Sequence, residues 1–142
     1  MKIMHKIDDL IIWQKSMELT KLVYEFVAYL PSDEKYGLIS QIKRSSISIP
    51  SNIAEGAGRN SNKEFKHFLS IANGSSCELH TQLTLTVALS LVSIEKIQPV
   101  LDLITEVQKM NFSFQKNLDN KISILKSKNL NKDENSIYST RI

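Results

Sequence analysis

The sequence predicts an all-α protein, an up-down-up-down four-helix bundle. Three observations carry this. Apolar residues recur at three- and four-residue steps through four long segments. Turn formers are scarce, with four Gly and three Pro in 142 residues, too few for a β sandwich full of turns. The breaks between segments are short, which sets consecutive helices antiparallel.

The first helix is expected from about Asp8 to Leu30, with Asp8 or Asp9 capping its exposed N–H groups. Leu10, Trp13, Met17, Val23, Phe26, Val27 and Leu30 supply its apolar face. Pro31 ends it, and Ser32 or Asp33 can start the second helix, expected from about Glu34 to Gly56. Ser61-Asn62-Lys63-Glu64 is a Ser-x-x-Glu capping box that opens the third. Phe65, Phe68, Leu69, Ala72, Leu79, Leu83 and Val87 form its inner face. Ser93 is a cap for the fourth, whose apolar positions include Ile97, Leu101, Ile104, Phe114, Leu118, Ile122 and Leu125. Pro99 either sits in the first turn of that helix or kinks its start. From Asn129 the sequence is polar and unpatterned, so residues 1–128 read as the bundle and 129–142 as a flexible tail.

One domain of this length can bury a core without staples. Apolar content of 42% argues against wholesale disorder. The single cysteine, Cys77, excludes an intramolecular disulfide and reads as a small packed residue in a reducing compartment. The opening "MKIMHKIDDL" lacks the apolar run of a signal peptide. The weakly polar run from Leu83 to Ile94 is well short of the roughly 20 residues that span a bilayer. A cytoplasmic protein without a membrane partner is therefore expected. The net charge of +3 permits nucleic-acid contact without arguing for it.

The segment "SIPSNIAEGAGRNS", Ser48 to Ser61, concentrates residues that suit neither a helix interior nor a core. On a wheel of about 100° per residue, Leu38, Ile39, Ile42, Ser46, Ile49 and Ile53 share the core face. Gln41, Arg44, Ser45, Ser48, Asn52, Glu55 and Arg59 form a polar stripe, with Ile47, Pro50 and Ala54 on its far side. The stripe is short and uncharged at its centre. It is either a half-buried hydrogen-bond network, within the bundle or against another chain, or a solvated face. Pro50 stays in phase with Ile49 and Ile53, so it bends the helix and orphans the Ser46 carbonyl, which a hydroxyl or water can satisfy. Gly56 and Gly58 are expected to end the helix. The small patch Ala72-Asn73-Gly74-Ser75-Ser76 is expected to let another helix approach closely, offsetting the ~1 kcal/mol that a mid-helix Gly costs.

Gln41 to Leu83 resembles the core pattern of the four-helix-bundle proteins named after intervening sequences in bacterial 23S rRNA genes. Gln41, Arg44, Ser48, Asn52, Ala54, Glu55, Gly56, Arg59, Phe65, Ala72, Gly74, Ser75 and Glu78 stand where that pattern has them. "IWQKSMELTKLVYEF" resembles its first helix, and the likeness spans roughly residues 8–125. The resemblance implies a bundle that assembles into a homopentameric ring, with no established enzyme activity. A related group of bundles, accessory to diversity-generating retroelements, implies RNA or DNA and a reverse transcriptase as partners. Gln98-Pro99 departs from the acidic opening usual for the fourth helix.

Little in the chain points to chemistry. His5, His67 and His80 lack paired metal spacing, and Glu64-x-x-His67 has no second copy to complete a di-iron site. "GAGR" lacks the Gly-Lys-Ser/Thr ending of a phosphate loop. No catalytic residue, cofactor or metal is expected. Lys43, Arg44, Arg59, Lys63 and Lys66 are the candidate nucleic-acid contacts, a patch that a ring would repeat. Arg59 either joins that patch or pairs with Glu55 one turn away, and the third helix start is either an anion site or a solvated end. Gln41, Ser48, Asn52 and Glu55 are the candidate polar network or subunit contact. The expected function is a ring-forming, non-enzymatic bundle that binds RNA or a nucleic-acid–protein complex. A protein assembly scaffold is the alternative.

Overall fold

The computed structural model describes residues 6–139. Four helices account for most of it: α1 (Ile11–Phe26), α2 (Leu38–Ala57), α3 (Asn62–Ala88) and α4 (Ile94–Ser139). Each packs against its neighbour in sequence, and α4 closes the bundle against α1. Among the described residues there is no strand. His5 lies outside the described residues.

The core is a single stack. Leu19, Val23, Ile42, Ile49, Ile53, Phe65, Leu69, Leu79, Leu83, Ile97, Ile104 and Leu118 are all fully buried. Of the apolar positions read from spacing, Trp13, Phe68, Val87, Leu101, Phe114 and Ile122 are half-buried, and Met17 and Leu125 are exposed, Leu125 because α4 has there run past the core. The inward register of α1 runs through Ile12, Ser16, Leu19, Val23 and Phe26, one residue away from Trp13 and Met17. Met17 is 46% exposed. A serine takes the core position because its hydroxyl donates to the Trp13 carbonyl, 2.8 Å away, and so enters satisfied.

Helix starts differ from expectation in an instructive way. Asp8 and Asp9 do not cap α1; they lie in a 3-10 turn, Ile7–Asp9. Leu10 occupies the N-cap position, with its side chain buried in the core. Ser32 and Asp33 likewise form a 3-10 turn, and α2 begins later, at Leu38. Its first N–H is held by the Glu34 carboxylate at 3.3 Å. The Ser61 capping box forms as read: its hydroxyl accepts the Glu64 N–H at 3.1 Å.

Pro50 and Pro99 both lie inside helices that run on. The Ser46 carbonyl left by Pro50 accepts the Thr20 hydroxyl from α1 at 2.9 Å. Gly56 does not end α2. A Cβ there would stand 2.8 Å from Phe68 Cβ, so this glycine is where α2 and α3 come closest. Gly58 caps the helix with a right-handed backbone. Gly74 has nothing within 4 Å of its would-be Cβ, so it is not a close-approach site within this chain.

The joint from α3 to α4 is a Schellman turn, with Leu91 N–H on the Thr86 carbonyl and Ser90 N–H on that of Val87, both 2.9 Å. Ser90 takes φ 59° there, a place that glycine usually fills. The expected polar tail is helical as far as Ser139. Residues 123–133 are exposed along it, so α4 outruns the core.

Candidate nucleic-acid interface

The polar stripe of α2 closes mostly inside the bundle. Ser48 and Ser75 hydroxyls meet at 2.8 Å across α2 and α3. The Asn52 amide donates to the Ser48 carbonyl at 2.7 Å and to its hydroxyl at 2.9 Å. Ser45 donates to Gln82 Oε1 at 2.7 Å. Ser75, Ser45 and Gln82 complete what Ser48 and Asn52 start; their contribution depends on helix register, which spacing within one helix does not reveal. Gln41 and Glu55 are exposed and lie outside this network. Among the described residues, every buried side-chain N or O has a hydrogen-bond partner. Asn111 of α4, not marked by the sequence, is a buried amide that donates to the Leu69 carbonyl at 2.9 Å.

The five basic candidates do not form one patch. Lys43 and Arg44 sit near the start of α2, about 20 Å along its axis from its end. Lys43 lies over the Tyr24 ring, 4.9 Å from its centroid. Arg59 pairs with Glu55 at 2.6 Å, and its guanidinium also lies 4.8 Å from the Phe68 ring. Lys66 reaches Asp119 of α4 at 2.6 Å. Phe65 is buried, its ring tilted against that of Phe114 at 5.1 Å, and is not available for bases.

Lys63 stands differently. It faces an open groove of about 470 Å³ between the α2–α3 joint and α4, with Lys121 and Lys126 on the opposite wall. Asn60, Asn62 and Asn129 also line the groove, and Ile122 and Leu125 form its floor. Among the described residues no acidic side chain lines it, although Ser61, which does, contacts the Glu64 carboxylate at 3.2 Å. Lys121 and Lys126 were missed because the sequence places them in a helix end read only for apolar spacing. Their nearness to Lys63 follows from antiparallel packing of α3 and α4.

The other candidate chemistry disperses. Cys77 is exposed, not packed: it lies one residue past the inward Ser76, with Gln108 Nε2 at 3.8 Å from its sulfur. His67 and His80 are exposed on α3. Among the described residues no group of three or more His, Cys, Asp or Glu is placed to hold a metal. No described helix is long and apolar enough to cross a membrane.

This architecture matches known proteins. The chain is similar to a solved protein of unknown function from the S23 ribosomal protein family of Bacteroides thetaiotaomicron, at 26% identity and a TM-score of 0.67. The match covers 75% of this chain and 99% of that one. No curated protein matches the chain significantly. The family model described as 23S rRNA-intervening sequence protein matches residues 8–113, from the first turn through the packed half of α4. The chain belongs to the 23S rRNA-intervening sequence protein family.

Proposed function

We propose that this protein is a non-enzymatic bundle that assembles with copies of itself and binds RNA through its basic faces. One observation carries the RNA reading: Lys63, Lys121 and Lys126 surround a groove free of acidic lining. Such a site attracts phosphates and releases their counterions, so affinity should fall steeply with salt. The test is a mobility-shift titration with structured RNA at several salt concentrations. Salt-independent affinity, or none, defeats it.

A pentameric ring is the assembly that the family resemblance implies. Ser48 and Asn52 then brace α2 against α3, and the outer side of α1 and α2 is available for contact. Met17 and Ile47 are about half exposed there, beside half-buried Trp13 and Ala54. Light scattering should give a multiple of the 16.2 kDa chain mass. A clean monomer at micromolar concentration ends the assembly proposal. That same apolar strip favours the second reading, a protein scaffold, which leads if assembly holds and RNA binding fails.

A further inference from the structure

Charge is distributed along this chain in an uneven way. Residues 1–115 hold twelve basic and twelve acidic side chains and are neutral in sum. Residues 116–132 hold five lysines and one aspartate, and that aspartate, Asp119, is engaged by Lys66. The excess positive charge is therefore concentrated in residues 116–132 of α4, ahead of Asp133 and Glu134.

This stretch also leaves the bundle. With 46 residues α4 is about 69 Å long, against about 40 Å for the 27 residues of α3. Asp119 already meets the second turn of α3, so α4 overhangs the α2–α3 joint by about 20 Å. Lys121, Lys128 and Lys132 fall within about 40° of one another on the helix, and Lys126 flanks the other side of the inward stripe. All four are exposed. The side that in the bundle carries Ile104, Val107 and Leu118 continues in the overhang as Leu125 and Asn129 edged by lysines.

We infer that the overhanging part of α4 is an RNA-binding arm that grips the phosphate backbone along the lysine stripe, with Lys63 closing the base of the grip. This rests on the RNA-binding reading above and assigns it to a place. Charge decides the occupant. A second copy of the arm would set lysines against lysines, whereas a phosphate backbone offers a complementary row of charges. The asparagines between the lysines can both donate to and accept from a ribose 2′-hydroxyl, a group that DNA lacks. The arm lies beyond residue 113, where the family match ends.

The experiment compares the full-length protein with the variant Lys121→Gln, Lys126→Gln, Lys128→Gln, Lys132→Gln. Gln is about as good a helix former as Lys, so the arm keeps its helix while losing charge. The probe is an RNA hairpin with a double-helical stem. Affinity in roughly 50 mM salt should fall at least about tenfold, and the slope of log K against log salt should flatten by about three units. Lys21→Gln with Lys35→Gln, two exposed lysines away from the arm, should change neither. If the arm variant keeps wild-type affinity and slope while Lys63→Gln loses binding, the arm is refuted and the RNA reading stands. If the unaltered protein binds no RNA, both fall. Equal affinity for a DNA duplex of the same sequence refutes the choice of RNA. Should the variant fold poorly, photo-crosslinking of the unaltered protein to thiouridine-containing RNA decides the matter. Crosslinks in 116–132 support the arm; crosslinks confined to α2 overturn it.

Discussion

Thr20→Val should destabilise this protein through a carbonyl 26 residues away in sequence. Pro50 has no N–H, so the Ser46 carbonyl lacks its helical donor. Ser46 is fully buried, and no solvent can replace that donor. The Thr20 hydroxyl, 2.9 Å away, supplies it. The same hydroxyl lies 3.1 Å from the Ser16 carbonyl, but that oxygen already receives a helical N–H within α1, so the proton gains more at Ser46. Valine keeps the side-chain shape and removes the donor. A buried acceptor left unsatisfied costs about 1–3 kcal/mol, or roughly 2–4 °C in Tm per kcal/mol for a domain of this size. Pro50→Ala restores an N–H to Ser46, so Thr20→Val in that background should cost under about 0.5 kcal/mol. The coupling in the double-mutant cycle should be about 1 kcal/mol or more. Urea unfolding followed by circular dichroism measures it, at one protein concentration because self-association raises apparent stability. A Thr20→Val cost that is the same with proline or alanine at position 50 refutes the reasoning.

Four further outcomes follow from local geometry. Gly56→Ala should destabilise by about 1–3 kcal/mol, since its Cβ would meet Phe68 Cβ at 2.8 Å and the Phe65 carbonyl at 3.2 Å; Gly74→Ala should stabilise by about 1 kcal/mol, because nothing opposes it and the helix interior prefers alanine. Ser90→Gly should stabilise by about 1 kcal/mol in the same urea assay, by relieving a left-handed backbone at a non-glycine residue. The Glu95 carboxyl is held below the ordinary glutamate range, first by its own backbone N–H in the opening turn of α4 and then by the Ser93 hydroxyl. Its contribution is therefore full above the unfolded carboxylate value and disappears as pH falls through the lower folded one. Glu95→Gln should make the stability curve shallower on that acid side and leave its slope above neutral pH unchanged.

Much of this molecule is legible in one dimension. The helical class, the four segments, the Ser61 cap and the interior of α2 through α4 follow from spacing, because burial on a helix repeats every three to four residues whatever lies opposite. The need for a donor to the Ser46 carbonyl is legible too, since proline chemistry is local. What spacing could not supply is which partner answers. Thr20 meets Ser46, Ser75 meets Ser48 and Gln82 meets Ser45 only once α2 is registered against α1 and α3. Registration likewise exchanged the roles of two glycines, putting Gly56 at the tight crossing and Gly74 in the open. It split the basic candidates as well, since residues adjacent in sequence, such as Arg59 and Lys63, point to different neighbours. The polar end of α4 is helical yet carries no apolar period, so nothing in its sequence separates it from a loose tail. Only the difference in length between α3 and α4 turns it into an overhang, because an antiparallel pair ends where its shorter member does.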